Sequence, residues 1–466
     1  MKPWIYTKST RIHAPVETAF AWHARNGAIS RLTPPWAPLE MISRSGFGID
    51  KGVKVLFRIR MFGVPMAWEA EHIAWEENRL FRDRQIRGPF ALWEHTHRFI
   101  PQSENTTLME DEVRFRLPLG FLSRPFYGFA MGELDRMFSY RHRRLKHDLE
   151  NHADKGSPKR ILISGASGTI GSVLVPFLRT CGHEVVRLVR KTRDLTQDEL
   201  FWDPSRGILD LDRAGSFDAV INLNGLDISG GRWTPEYKKK IIDSRVLSTR
   251  LLASKLSRLD QKPEVFVSSS AIGFYGDSGD QILEEEASEG ECFISSVCSQ
   301  WEDASSDARE AGIRTVLLRI GVVLTPAGGA LAKMELPFRM GLGVKFGQGS
   351  QYISWISMED VLSAILHILE SRAINGQVNL TAPHPVTNEE FSRTLARVFH
   401  KKVLFTLPEF LVRMVWGEMG KETLMASARV VPGKLMESGF SFQHATLEPA
   451  LRDMLGRETE LGNNQS

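Results

Sequence analysis

The chain has 466 residues, 42% hydrophobic and 25% charged, the balance of a soluble globular protein too long for one ordinary core. No apolar run reaches the roughly 18 residues that span a bilayer, and Met1-Lys2-Pro3-Trp4 opens no apolar signal segment. The three cysteines, Cys181, Cys292 and Cys298, form neither a disulfide framework nor a metal-ligand spacing, so a cytoplasmic protein of two or three domains without a metal centre is expected.

The net charge of +3 is a difference between halves. Residues 1–150 carry 23 Lys+Arg against 17 Asp+Glu, a balance of +6, and the remainder carries −3. In the first part both signs interleave along the strands. Its dense basic run, Arg141-His142-Arg143-Arg144-Leu145-Lys146-His147, reads as the solvated face of a helix, or else as a patch for an anionic surface. No nucleic-acid partner is expected.

In chain order, Pro15 opens a short helix carrying Val16, Ala19, Phe20 and Trp22. Val53, Val55, Phe57 and Ile59 then alternate with polar neighbours, as a half-buried strand requires. Further strands are predicted over 67–75, 80–86, 91–100 and 107–117, separated by turns such as Arg87-Gly88-Pro89 and Ser103-Glu104-Asn105. Tyr127, Met131, Leu134, Phe138, Leu145 and Leu149 place one apolar stripe along a long final helix. An antiparallel sheet curved around such a helix encloses an apolar cavity. This order, with the Ile12-His13-Ala14-Pro15-Val16-Glu17 entry, resembles the helix-grip superfamily of START lipid-transfer domains and polyketide cyclases. The resemblance implies an apolar small-molecule ligand in the N-terminal domain and no fixed catalytic residues. His72, His95 and His97 fall on strands, either lining that cavity or sitting at the surface or core edge.

Residues 151–159 form a polar linker. From Arg160 strands and helices alternate: strands are predicted at 161–164, 184–189, 219–223, 265–269 and 315–319, with helices such as 233–256 and 298–311 between them. The alternation predicts a doubly wound parallel sheet of Rossmann type, an α/β fold preceded by the α+β helix-grip domain. Pro176 predicts a kink in the first helix. The remaining boundaries are 160–400 for the nucleotide-binding domain, 401–455 for a small helical module with helices at 409–416 and 422–428, and 456–466 for a disordered tail.

The segment Ile161-Leu162-Ile163-Ser164-Gly165-Ala166-Ser167-Gly168-Thr169-Ile170-Gly171 carries the chemistry. A strand running into glycines and then a helix lets the backbone turn tightly and aim helix N–H groups at a pyrophosphate. Gly165, Ser167, Gly168, Thr169, Ile170 and Gly171 are therefore the expected dinucleotide cradle. After the second strand come Arg190 and Lys191 where an NAD-selective fold places an acid, so NADP(H) is the expected cofactor. Asp203 either accepts from an adenine amino group or is a turn residue before Pro204. Asn224 and Gly225 close the fourth strand, where the adenosine end would pass.

Together these features resemble the extended short-chain dehydrogenase/reductase family, whose sugar epimerases carry a segment like Ser268-Ser269-Ser270-Ala271-Ile272-Gly273-Phe274-Tyr275-Gly276. More narrowly, Gly231-Arg232-Trp233, Asp243-Ser244-Arg245, Val297-Cys298-Ser299-Gln300-Trp301-Glu302 and Gln351-Tyr352-Ile353-Ser354-Trp355-Ile356 resemble an epimerase-like bacterial subfamily. The resemblance implies that Ser270 orients a substrate oxygen and that Ser268 and Arg245 lie near the cofactor. It also implies a Tyr-x-x-x-Lys pair on the following helix, and here Ile294 and Cys298 stand in those two places. Tyr275 is the nearest spare phenol, either a replacement acid or a residue packed beside the cofactor. Arg245 binds an anion or is a structural arginine paired with an acid, and Cys298 is a reactive thiol or inert packing. Gln351, Trp355 and Gly341, Gly343, Gly347 and Gly349 suggest a substrate-side loop, or ordinary turns. The reading that results is an NADP(H)-dependent epimerase-like oxidoreductase of unknown small-molecule substrate. Its alternatives are a non-catalytic NADP(H)-binding or sensing protein and a carrier of hydrophobic ligands.

Overall fold

The computed structural model describes residues 2–457 apart from 38, 47, 62–63, 119, 154–155 and 212–213. Among these residues the chain forms two compact units, one from 2–158, 175–183 and 455–457, the other from 159–174 and 184–454. Asp154 and Lys155 of the expected linker, and 458–466 of the expected tail, lie outside the described residues. Gly456, the first residue of that tail, and Leu455 accept hydrogen bonds from Arg136 through their carbonyls.

Among the described residues the first unit is one antiparallel sheet with helices. Its elements are β1 (Trp4–Ile12), α1 (Val16–Ala24), α2 (Ala28–Leu32), β2 (Leu39–Arg44), β3 (Lys54–Met61), β4 (Val64–Glu76), β5 (Leu80–Arg87), β6 (Leu92–Ser103), β7 (Thr106–Arg116) and α3 (Tyr127–Asn151). The strand order is β1-β7-β6-β5-β4-β3-β2. Alternation fixes what faces inward. Trp93, His95, His97 and Phe99 of β6 lie opposite Phe115, Val113, Asp111 and Met109 of β7, and all eight are buried.

Helix α3 covers this face with Leu134, Phe138, His142, Leu145 and Leu149. Its stripe starts later than the sequence suggested, since Tyr127 is 40% exposed. The basic run at 141–147 is not a solvated face. His142 and Arg144 are buried, and Arg31 of α2 grips Asp148 through two charge-assisted hydrogen bonds of 2.7 and 2.9 Å. Helix α3 is enclosed by the sheet and by α2, so Tyr140, His142, Arg144 and Asp148 turn inward. Between sheet and helix lies a cavity of about 740 Å³ whose wall includes Phe57, Trp68, Trp93 and Phe138.

In the second unit a sheet of eight described strands has the order β11-β10-β9-β8-β12-β13-β14-β15. Here β8 is Arg160–Ser164, β9 Glu184–Val189, β10 Glu199–Asp203, β11 Ile208–Leu209, β12 Ala219–Asn222, β13 Val265–Ala271, β14 Arg314–Ile320 and β15 Gly376–Leu380. Apart from the β10–β11 pair every ladder is parallel. The central runs Ile161-Leu162-Ile163, Ala219-Val220-Ile221 and Val265-Phe266-Val267 are fully buried, as strands covered on both faces must be.

The crossovers use α4 (Gly171–Thr180), α5 (Pro235–Ser257) and α6 (Phe293–Asp303). Helix α4 passes through Pro176 as one element. Helix α5 starts at Pro235 because Thr234 caps it, its Oγ1 accepting from the Tyr237 N–H at 3.3 Å. The helix expected over 298–311 is two, since Ser305 turns its hydroxyl back onto the Glu302 carbonyl at 2.6 Å and the chain breaks there. The helix expected over 422–428 is a single wide turn at Gly420–Leu424, followed by Arg429–Val430 pairing with Ile282–Leu283.

Candidate nucleotide site

Strand β8 has β9 on one side and β12 on the other, so the chain reverses its direction of travel across the sheet there. In open parallel sheets the crevice at such a reversal, outside the carboxyl ends of the strands, is where ligands bind. The Gly165–Ile170 turn stands there, between β8 and α4. Gly165 has φ +72°, and a Cβ on it would lie 2.6 Å from the Leu223 carbonyl oxygen. A Cβ on Gly171 would collide with the Gly165 carbonyl oxygen and lie 2.8 Å from the Ala166 Cα. Glycine is thus required sterically at both ends of the turn. Ser167, Gly168 and Thr169 are exposed, while the N–H groups of Gly168, Ser172 and Val173 already donate to the carbonyls of Gly165, Gly168 and Ile170.

A buried network ties the floor together. The Asn222 amide oxygen accepts from Ser164 Oγ at 2.6 Å, and its nitrogen donates to Thr249 Oγ1 at 2.8 Å and to Ser268 Oγ at 3.2 Å. Trp301 Nε1 donates to the same Thr249 oxygen. Ser268 is therefore a structural tie between strands, with its hydroxyl below the crevice floor.

The other residues singled out by the sequence spread around this crevice. Arg190 follows β9, is exposed and, among the described residues, makes no ion pair; Lys191 is held at 2.7 Å by Glu199. Asp203 caps the turn 204–206, accepting from Ser205 N and Oγ at 3.0 and 2.6 Å. Those hydrogen bonds keep its carboxyl below the ordinary value, so the turn alternative describes it. Asn224 Nδ2 reaches the Ser244 carbonyl at 3.5 Å, the limit of a hydrogen bond. Arg245 donates to the carbonyls of Ile241 at 3.1 Å and Leu226 at 3.0 Å, not to a carboxylate, and lies over the Trp301 ring. A Cβ on Gly225 would lie 3.4 Å from the Arg245 Cζ.

Ser270 and Tyr275, the expected catalytic pair, are both buried in one hydrogen-bonded network. Ser270 donates to Glu302 Oε1 at 2.7 Å, and Glu302 is gripped by Arg319 through two contacts of 2.9 Å. The Tyr275 hydroxyl donates to Asn379 Oδ1 at 2.7 Å and accepts from Arg319 Nη1 at 3.0 Å. Both residues are 2% exposed. Burial raises the Tyr275 pKa, with the Arg319 charge only partly offsetting it. A proton donor must reach substrate with a pKa near the working pH, and this phenol meets neither condition. Cys298 is likewise inert, its thiol pushed up to about 12 by burial first and by Glu302 second. Trp355 is a core residue, and Gln351 ties its loop to the carbonyls of Phe346 and Leu424. Sequence reasoning missed Arg319 and Glu302 as the centre of this knot. A charge inside the apolar strand Val316-Leu317-Leu318-Arg319-Ile320 was the available signal, since a buried charge demands a partner.

The profile of the NAD dependent epimerase/dehydratase family matches residues 161–380, and a domain of unknown function matches 407–454. An epimerase family protein of Mycobacterium bovis is 39% identical over 291 residues, covering 62% of this chain and 96% of that protein. The chain belongs to the epimerase family. YfhF of Bacillus subtilis, another member, is 35% identical over 298 residues, covering 63% of this chain and 97% of its own. Among solved structures, the nucleoside-diphosphate sugar epimerase from Corynebacterium glutamicum is 31% identical with a TM-score of 0.80, over 97% of this chain and 90% of that one. The human epimerase family protein SDR39U1 (isoform 2), solved with NADPH, is 31% identical with a TM-score of 0.58, over 63% of this chain and 98% of that one.

Proposed function

We propose that this chain is an NADP(H)-binding oxidoreductase of the epimerase family, acting on a carbonyl- or hydroxyl-bearing small molecule without the usual Tyr-x-x-x-Lys pair. The observation that carries the reading is the glycine turn at the reversal point with Arg190 standing exposed behind the next strand. The residues fit the group. N–H groups at Ser167, Thr169, Ile170 and Gly171 would hold the pyrophosphate, and Gly168 keeps the cradle free of side chain. Arg190 would grip the ribose phosphate in bidentate fashion, with Lys191 adding charge while paired to Glu199. Asn224 and Gly225 would flank the adenosine end. Arg245, beside Gly225 and facing Cys298, supplies the fixed positive charge that a lysine at position 298 would otherwise bring. When bound, the nicotinamide gives or takes the hydride.

The NADPH held by the human relative supports the phosphate preference. Titration of the purified chain with NADPH and NADH, followed by nucleotide fluorescence, tests it. NADPH is expected to bind at least tenfold more tightly, and Arg190→Ala to erase most of that difference. Equal affinities, or no binding of either at millimolar concentration, would overturn the reading.

The enclosure of Ser270 and Tyr275 favours a second reading, in which NADP(H) is bound or sensed without turnover. Oxidation of stoichiometric NADPH by any member of a carbonyl panel separates the two. For the first unit we read a helix-grip domain, on the strength of its element order, with a cavity of a size that suits an apolar small molecule. The domain limits 1–150, 160–400 and 401–455 and a cytoplasmic location belong to the same proposal. No described helix is long and apolar enough to cross a membrane.

A further inference from the structure

The inner face of the first unit's sheet is mostly apolar, with a cluster of acids and histidines at its centre. Strand β5 sets Asp83 opposite His95 of β6, and β6 sets His97 opposite Asp111 of β7, all with side chains toward α3. His95, His97 and Asp111 are at most 5% exposed, and Asp83 is half-buried. Asp111 collects three imidazoles. Its Oδ1 lies 3.1 Å from His95 Nε2 and 2.7 Å from His97 Nδ1, and its Oδ2 lies 2.8 Å from His142 Nε2. The contact to His97 is bent away from a straight hydrogen bond. A bare nitrogen at 2.7 Å from a carboxylate oxygen would still be strongly repelled, so the proton of each ring faces Asp111.

That assignment leaves the opposite nitrogens bare. His95 Nδ1 and His97 Nε2 then carry lone pairs, and both look toward Asp83 Oδ2, at 3.5 and 3.9 Å. Two lone pairs and a carboxylate thus converge with no hydrogen between them, one donor atom from each residue lying within 4.8 Å of the others. With neutral rings such a set is repulsive, and a second ring proton or a metal ion at its centre relieves it. His72, across β4 from Asp83, lies outside it. Arg141 also lines the cavity and is the guanidinium that faces Asp83 and Asp111.

We propose that Asp83, His95 and His97 form a binding site for a divalent transition-metal ion at the base of the cavity. The ligand set, two imidazoles and a carboxylate, suits Zn²⁺ and its first-row neighbours and disfavours Mg²⁺ and Ca²⁺. An ion about 2.0–2.2 Å from each donor holds them roughly 3.4 Å apart in a tetrahedral arrangement. The observed separations therefore close onto it with shifts below about 1 Å. Asp111 hydrogen-bonds the far nitrogen of His95 and lies 2.7 Å from that of His97, as carboxylates behind metal-binding histidines do, and His142 fixes Asp111 in turn. Three protein donors leave one position open, and it faces the cavity. The oxygen-bearing end of an otherwise apolar ligand would complete the coordination there. The sequence expectation of no metal centre is thereby revised, and the proposal stands apart from the nucleotide reading.

The test is metal uptake by the full chain. After chelator treatment, the protein is loaded with Zn²⁺, desalted and analysed for metal. One equivalent per chain is expected in the wild type and in Cys292→Ser, which removes a half-buried thiol elsewhere. His95→Ala or Asp83→Asn is expected to weaken retention tenfold or more, and Asp111→Asn roughly ten- to a hundredfold. Should those variants fail to fold, Co²⁺ added to the wild-type chain decides, through a visible absorption band saturating at one equivalent and displaced by Zn²⁺. No retained Zn²⁺ in the wild type, retention unchanged in Asp83→Asn, or a featureless Co²⁺ titration would each overturn the site.

Discussion

At the scale of single residues, the buried pair Arg31–Asp148 makes a sharp claim about stability. Both side chains are 2% exposed, and the guanidinium meets the carboxylate through two short contacts. Burial alone would raise the Asp148 carboxyl. The charge of Arg31 and its donors outweigh that and hold the group well below the usual carboxylate range. Because the folded value is depressed, the pair contributes fully above the unfolded value of about 3.9 and loses its contribution as pH falls through and below it. Asp148→Asn strands a buried guanidinium and is expected to cost about 3–5 kcal/mol in urea unfolding at pH 7. The difference from wild type should shrink below pH 4. A loss under about 1 kcal/mol at pH 7 would show that water reaches the pair. Nothing local in the sequence pointed to it, since the partners are 117 positions apart. The same holds for Asp83 and Asp111, whose meaning comes only from neighbours on other strands. By contrast, His95 and His97 two apart on a strand were legible as sharing one face.

At the scale of elements, the turn between β8 and α4 ranks its own glycines. A Cβ at Gly171 meets backbone that cannot yield without moving the strand, whereas one at Gly168 comes only to 3.2 Å of the Gly165 carbonyl oxygen. Gly171→Ala is therefore expected to weaken NADPH binding at least tenfold, about 1.4 kcal/mol or more, and Gly168→Ala clearly less. Fluorescence titration of both variants, with circular dichroism to check folding, measures this; equal effects would contradict the geometry. This element was readable because strand, glycines and helix are contiguous. The catalytic assignments were not. Tyr275 takes its meaning from Arg319 and Asn379, which lie 44 and 104 residues away.

At the scale of the whole molecule, the sequence shows most of its inner strands and hides outer ones. Strands β1, β2 and β15 lie at sheet edges and were not predicted. Their stretches, such as Lys8-Ser9-Thr10-Arg11 and Gly376-Gln377-Val378-Asn379, carry the polar residues that keep an edge from pairing with other chains. The two units also assign a distinct outcome to ligand binding. NADPH at about 100 times its Kd should stabilise the nucleotide unit by about 2.7 kcal/mol. Hydrogen exchange should slow in residues 161–191 and stay unchanged in β5–β7; protection appearing in β6 instead would misplace the nucleotide site. The histidine and aspartate row across β5, β6 and β7 has a folding consequence of its own. Sliding β6 by one residue against its neighbours would turn both imidazoles outward and strip Asp111 of two of its three imidazole partners, so misaligned pairings of this sheet are penalised and its one correct alignment is self-checking.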